Sequence, residues 1–314
     1  MSSDYNMKGV LKQKYLKKAK RTKRTCAIEG CNKKAIGSHV VPKTLLNAIS
    51  SGNVYSIETD WINNVVRFER FGVNKDCKIN ILCHDHDMEK FNRIDSRDID
   101  VTDEVSILQL MYRVILAEQA KWNILAEAAM KELKLCSSDE RLNILGFLQY
   151  KDRNDYRLKI SRKYVESDLH SMSCTKVGYK SRVIERIPIA GASYFSDTSG
   201  GWFIINLGNL GFKFYPQVSI SIFPIGDSET GVVISYILDE EQFLSEKYKD
   251  FNSMSDLDFK KFINDIILSR VTYWFASSEF YEKKIKYRND EISRIISSNV
   301  TNKNPIVELN ILDD

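Results

Sequence analysis

Four side chains with sulfur or imidazole donors stand in two short pairs: Cys26 and Cys31 within CAIEGC, and Cys83 and His86 within CHDH. Zinc is borderline-soft and accepts a tetrahedral shell of such donors, so two pairs brought together predict one Zn2+ site. Gly30 gives the first turn the backbone freedom to fold both sulfurs onto one ion. His84 and Cys77 are neighbouring alternatives to His86 and Cys83. The pair Cys83 and His86 is preferred, because a two-residue gap at a strand-to-helix junction turns both side chains toward one ion. In an extended segment His84 would point away from Cys83. Between the pairs lies AIGSHVVPK, which carries His39. A histidine there reads either as a general base or as a side chain that holds its loop against the metal site.

Taken together, Cys26 with Cys31, then Ser38, His39 and Pro42, then Cys83 with His86 entering DMEKF, resemble the HNH endonuclease family and the wider ββα-metal, or treble-clef, group. The resemblance covers roughly residues 26–95. It implies a structural zinc, His39 as the base that activates water, and a separate catalytic cation, Mg2+ or Mn2+, beside the phosphodiester. Asp87 occupies the place where the family usually has a metal-binding histidine, and His84 and Asp85 are further candidates. Three positions depart from the family pattern. Ser38 stands where active members usually have aspartate, Lys78 stands at the central asparagine position, and Asp87 replaces the last histidine. Asn80 is shifted by two, and Asn63 or Asn64 would need another loop path.

Partners follow from charge. The formal net charge is +4, yet Lys8–Arg24 holds nine basic residues and no acid. Without that segment the remaining chain has more acids than bases. The arm, with Lys17, Lys18, Lys20, Arg21, Lys23 and Arg24, therefore suits a nucleic-acid backbone, DNA before RNA, or else forms a solvated tail. With 43% hydrophobic and 28% charged residues the chain is an ordinary folded protein. No apolar run approaches the ~20 residues of a membrane span, and six cysteines without an apolar leader point to thiols or metal. The expectation is a cytoplasmic protein with no membrane partner.

The elements that must position these residues read as an α+β fold: an N-terminal treble-clef or HNH-like zinc module, a helical segment, and a mainly antiparallel β-sheet with C-terminal helices. The expected divisions are a basic arm 1–25, the zinc module 26–97, a helical region 98–172 and an α+β accessory domain 173–314. Helical spacing of apolar residues marks 101–135 and 138–168, with Ser137, Ser138 and Asp139 as caps for the second. Ser181–Ile189, Trp202–Leu207, Gln217–Phe223 and Gly231–Leu238 have strand composition. Helical spacing returns over 240–248, 256–275 and 278–297, and 8–24 could also be helical. Beyond Val101 there is no Gly-rich phosphate loop, nucleophile elbow or second metal cluster. The aromatic residues around Tyr194, Trp202 and Phe214 read as sheet core, and the C-terminal region as a surface for a protein partner or a second copy. A compact head on an unfamiliar body resembles the effector layout of prokaryotic defence proteins. The alternative is a non-catalytic zinc-dependent module that binds nucleic acid or serves as a protein-interaction scaffold.

Overall fold

The computed structural model describes residues 14–60, 65–74, 77–96, 98–207, 210–299 and 307–312. Lys8, Lys12, Asn63 and Asn64 lie outside them. The protein mixes helix and strand around a large antiparallel sheet, as the sequence pattern requires. It has two compact units that interleave along the chain. One gathers the residues up to Ser38, Lys78–Lys90 and Ile115–Lys163; the other gathers His39–Cys77, Phe91–Val114 and the chain from Tyr164 onward.

The first unit opens with helix α1 over 14–20. The short strands β1 (Gly37–His39) and β4 (Lys78–Asn80) pair, and β4 leads through Cys83 into α3 (His84–Phe91). The long helices α4 (Glu104–Glu132) and α5 (Ser138–Ser171) contribute their stretches Ile115–Glu132 and Ser138–Lys163. Each helix has a built start. Asp103 accepts the Ser106 N–H at 3.0 Å ahead of α4, and Glu140 reaches back to the Ser137 N–H at 3.0 Å ahead of α5.

The second unit holds α2 (Lys43–Ile49), the hairpin β2 (Asn53–Asp60) and β3 (Val65–Gly72), and strands β5 (Val177–Glu185) and β6 (Ile189–Ser196). After β7 (Phe203–Leu207) and β8 (Leu210–Phe214), which form their own two-stranded sheet, come β9 (Gln217–Ile225) and β10 (Glu229–Ile237). Then follow α6 (Glu246–Lys249), α7 (Asp256–Ser269), β11 (Tyr273–Ser277), α8 (Ser278–Phe280) and α9 (Asn289–Asn299). The main sheet has seven strands in the order β3-β2-β11-β6-β9-β10-β5, each pair antiparallel.

One face of that sheet is aliphatic. Val218, Ile220, Ile222, Val232, Ile234 and Trp274 meet α7, whose Phe259, Phe262, Ile263, Ile266 and Ile267 recur at three- and four-residue steps, and α9 adds Ile292 and Ile296. The opposite face carries polar groups: Tyr194, Ser219, Ser235 and Tyr179 stand opposite one another across four strands. Both faces are buried along β6 and β9.

Two differences from the sequence pattern have clear causes. The helical spacing over 256–275 breaks at Ser269, and the β-branched and aromatic run that follows becomes β11, a central strand. β6 carries no strand-like composition, because its Ala, Gly and Ser residues fit where space is short. A Cβ on Gly191 would lie 3.0 Å from the Cβ of Trp274, its cross-strand partner. The hairpin β2–β3 lies between the two ligand pairs in sequence but pairs with β11 in space. Among the described residues no helix is long and apolar enough to cross a membrane.

Candidate metal centre and its surroundings

The first ligand pair sits on a tight hairpin. Cys26 N–H donates to the Lys33 carbonyl at 2.9 Å, Cys31 N–H to the Ile28 carbonyl at 3.1 Å, and Thr25 bridges to Lys34. Gly30 takes φ +76°, and nothing would obstruct a Cβ there, so backbone conformation alone asks for glycine. Two bonds tie the hairpin to the second pair: Ala27 N–H to the Ile81 carbonyl at 2.9 Å and Ile36 N–H to the Leu82 carbonyl at 2.7 Å. Cys83 then precedes α3, and His86 lies in its first turn.

These local structures bring Cys26, Cys31, Cys83 and His86 into one Cys3His group, with all donor atoms within 4.8 Å of one another. His86 Nδ1 lies 3.3 Å from Cys26 Sγ and 3.4 Å from Cys83 Sγ, and the sulfurs of Cys31 and Cys83 are 3.9 Å apart. Tetrahedral zinc, with Zn–S of about 2.3 Å and Zn–N of about 2.0 Å, requires S···S of about 3.8 Å and S···N of about 3.5 Å. The donor set and its spacing therefore fit a metal such as zinc. The N–H groups of His86 and Asp85 hold the Cys83 thiol below its ordinary range, as a thiolate ligand needs, whereas burial pushes Cys26 up. His84 is exposed, and Cys77 is buried elsewhere; neither belongs to the group. Asp85 pairs with Lys33, which depresses its proton affinity.

His39 ends β1 and is half-buried. Its Nε2 lies 2.9 Å from the carbonyl oxygen of Val73, so the ring donates there. Val73 is a partner that sequence reading missed, since a backbone carbonyl leaves no residue-type signal. Ser38 is buried, and its hydroxyl has no hydrogen-bond partner among the described residues; the same holds for Asp87 Oδ1. Asp87 is on α3, its N–H donating to the Cys83 carbonyl at 2.9 Å. Buried polar atoms are ordinarily paired, so these two orphaned oxygens are the exceptions in this part of the chain.

The basic arm divides in two. Lys17, Lys18, Lys20, Arg21 and Lys23 are exposed, but Arg24 is half-buried. Its Nη1 donates to the carbonyls of Ala19 and Thr22, each at 3.0 Å, and its Nη2 pairs with Glu127 at 2.9 Å. Glu127 lies 103 residues away, beyond the reach of any spacing argument. No protein-family model, no curated protein and no solved structure matches this chain.

Proposed function

We propose that the chain is a metal-dependent nuclease of HNH type that hydrolyses phosphodiester bonds in nucleic acid, DNA before RNA, on a zinc-fastened scaffold. The observation that carries this reading is the His39–Val73 hydrogen bond. A neutral imidazole that donates from Nε2 keeps its lone pair on Nδ1, which is the form a general base needs. The Val73 carbonyl also favours the imidazolium that forms when Nδ1 takes a proton from water. The pairing of β1 with β4, and the run of β4 through Cys83 into α3, agree with a ββα frame. Asp87, with Ser38, would hold Mg2+ or Mn2+, which supplies charge stabilisation at the phosphoryl oxygens when bound.

The test is cleavage of DNA and RNA with magnesium or manganese, wild type against His39→Ala. Loss of a general base lowers the rate by about 10²–10⁴ with zinc content unchanged. Equal cleavage by both proteins removes His39 from the mechanism. A second reading is a nucleic-acid-binding zinc module without chemistry, favoured by the buried serine at position 38, where family members carry a metal-binding aspartate. Its mark is salt-dependent binding with no cleavage in either metal.

A further inference from the structure

Glu127 of α4 is the acidic centre of a small hydrogen-bonded network. The carboxylate is shared. Oε1 accepts from the Thr22 hydroxyl at 2.8 Å and from Lys131 Nζ at 2.6 Å, and Oε2 accepts from Arg24 Nη2 at 2.9 Å. Arg24 in turn covers the C-terminal end of α1, where the last carbonyls of a helix lack partners and carry partial negative charge. The N–H groups of Arg21 and Thr22 close the turn onto the Lys18 and Ala19 carbonyls. Immediately beyond, Arg24 C=O accepts the Ala35 N–H, so the same residue also joins the zinc hairpin. The side chains of Arg24 and Glu127 are 17% and 28% exposed, sheltered enough from solvent for the pair to hold one geometry.

We infer that Glu127, through Thr22 and Arg24, is a positioning residue that latches the basic helix to α4 and presents Lys17, Lys18, Arg21 and Lys23 as one preset phosphate-binding face. This inference rests on the nucleic-acid reading above and assigns Arg24 to the latch rather than to the phosphate contacts. A tethered, ordered face loses less conformational freedom on binding than a loose tail does, and so binds more tightly with the same charges. Simple Coulomb reasoning gives the opposite sign for Glu127, because removing a negative charge should strengthen attraction to DNA.

The experiment is salt-dependent binding of a DNA duplex by the zinc-loaded full chain, wild type against Glu127→Ala, Arg24→Ala, the double variant, and Asp152→Asn as a charge control on an exposed acid of α5. Amide exchange at Arg21 and Thr22 is followed in the same proteins. For four phosphate contacts the wild-type salt slope is about −4. Glu127→Ala is expected to bind about tenfold more weakly and to lose protection at both amides, with the double variant no worse than either single one. Asp152→Asn should bind as wild type or slightly tighter. Binding by Glu127→Ala as tight as wild type, or additive losses in the double variant, would overturn the latch. Should the wild type bind no duplex, the nucleic-acid reading fails, and unchanged exchange in Glu127→Ala would then sink the latch independently.

Discussion

The two units of this protein are held together by different physics. In the unit that holds the Cys3His group the described residues bury few large apolar side chains: Ile81, Leu82, Ile115, Leu116 and Leu158, beside alanines and the cysteines themselves. Order there comes from backbone bonds on a hairpin and from donor atoms gathered at one point. The sheet unit has the reverse balance. Trp274, Tyr248, Phe223, Phe251 and Phe259 are fully buried, and an aliphatic sheet face meets a helix with a matching apolar stripe. A unit whose donor atoms are soft and whose core is small would draw stability from an ion bound there. A unit with a continuous core would not.

The largest test of that contrast is metal removal. Chelation, or a Cys26→Ser, Cys31→Ser double variant, withdraws a binding free energy on the order of 10 kcal/mol from the first unit. Amide protection at Cys26, Ala27 and Ile36 should disappear, while the β9–β10 ladder keeps its own. Loss of protection in both units together would break the contrast. The second test works from the other side. Trp274 is fully buried and meets Phe68 edge-on at 5.5 Å, so Trp274→Ala should cost the sheet unit about 3–5 kcal/mol, read by denaturant unfolding, with zinc stoichiometry unchanged.

The smallest effect is electrostatic and belongs to the start of α4. Burial by itself would raise the proton affinity of Asp103, but the Ser106 hydroxyl, Arg93 and the Ser106 N–H carry it below the ordinary 3.8. A depressed folded value means that the stabilisation is complete above that ordinary value and fades as pH falls through the folded one. Thermal unfolding followed from neutral to strongly acid pH should show this fading in wild type and less of it in Asp103→Asn. Identical acid profiles would remove Asp103 as a contributor.

Legibility in the sequence followed the reach of each interaction. The ligand pairs were readable because each is local, and the long helices because their period is local. The start of α5 was readable in part, since Ser137, one of three candidate caps, is the residue that pairs with Glu140. β11 was hidden because its aromatic run continued a helical spacing, and only its two neighbouring strands make it a strand. β6 was hidden because Gly191 and Ala192 answer to the bulk of residues some eighty positions away, such as Trp274 and Tyr273. The hydrogen bond of His39 to Val73 and the pairing of Arg24 with Glu127 were out of reach for the same reason. The basic residues of the arm could be counted, but not sorted into those that face solvent and the one that holds the helix end.

The placement of β11 also sets an order of events during synthesis. Ser56 donates to the Trp274 carbonyl across a separation of 218 residues, and β2 has no other inner neighbour in the sheet. The hairpin β2–β3 thus leaves the ribosome long before the strand that completes its pairing exists. Its inner edge is open throughout that interval, a condition that invites pairing with other chains. The four metal ligands, all within the first 86 residues, can meet much earlier. Zinc supplied during translation would close the segments on either side of this waiting hairpin while its sheet partner is still being made.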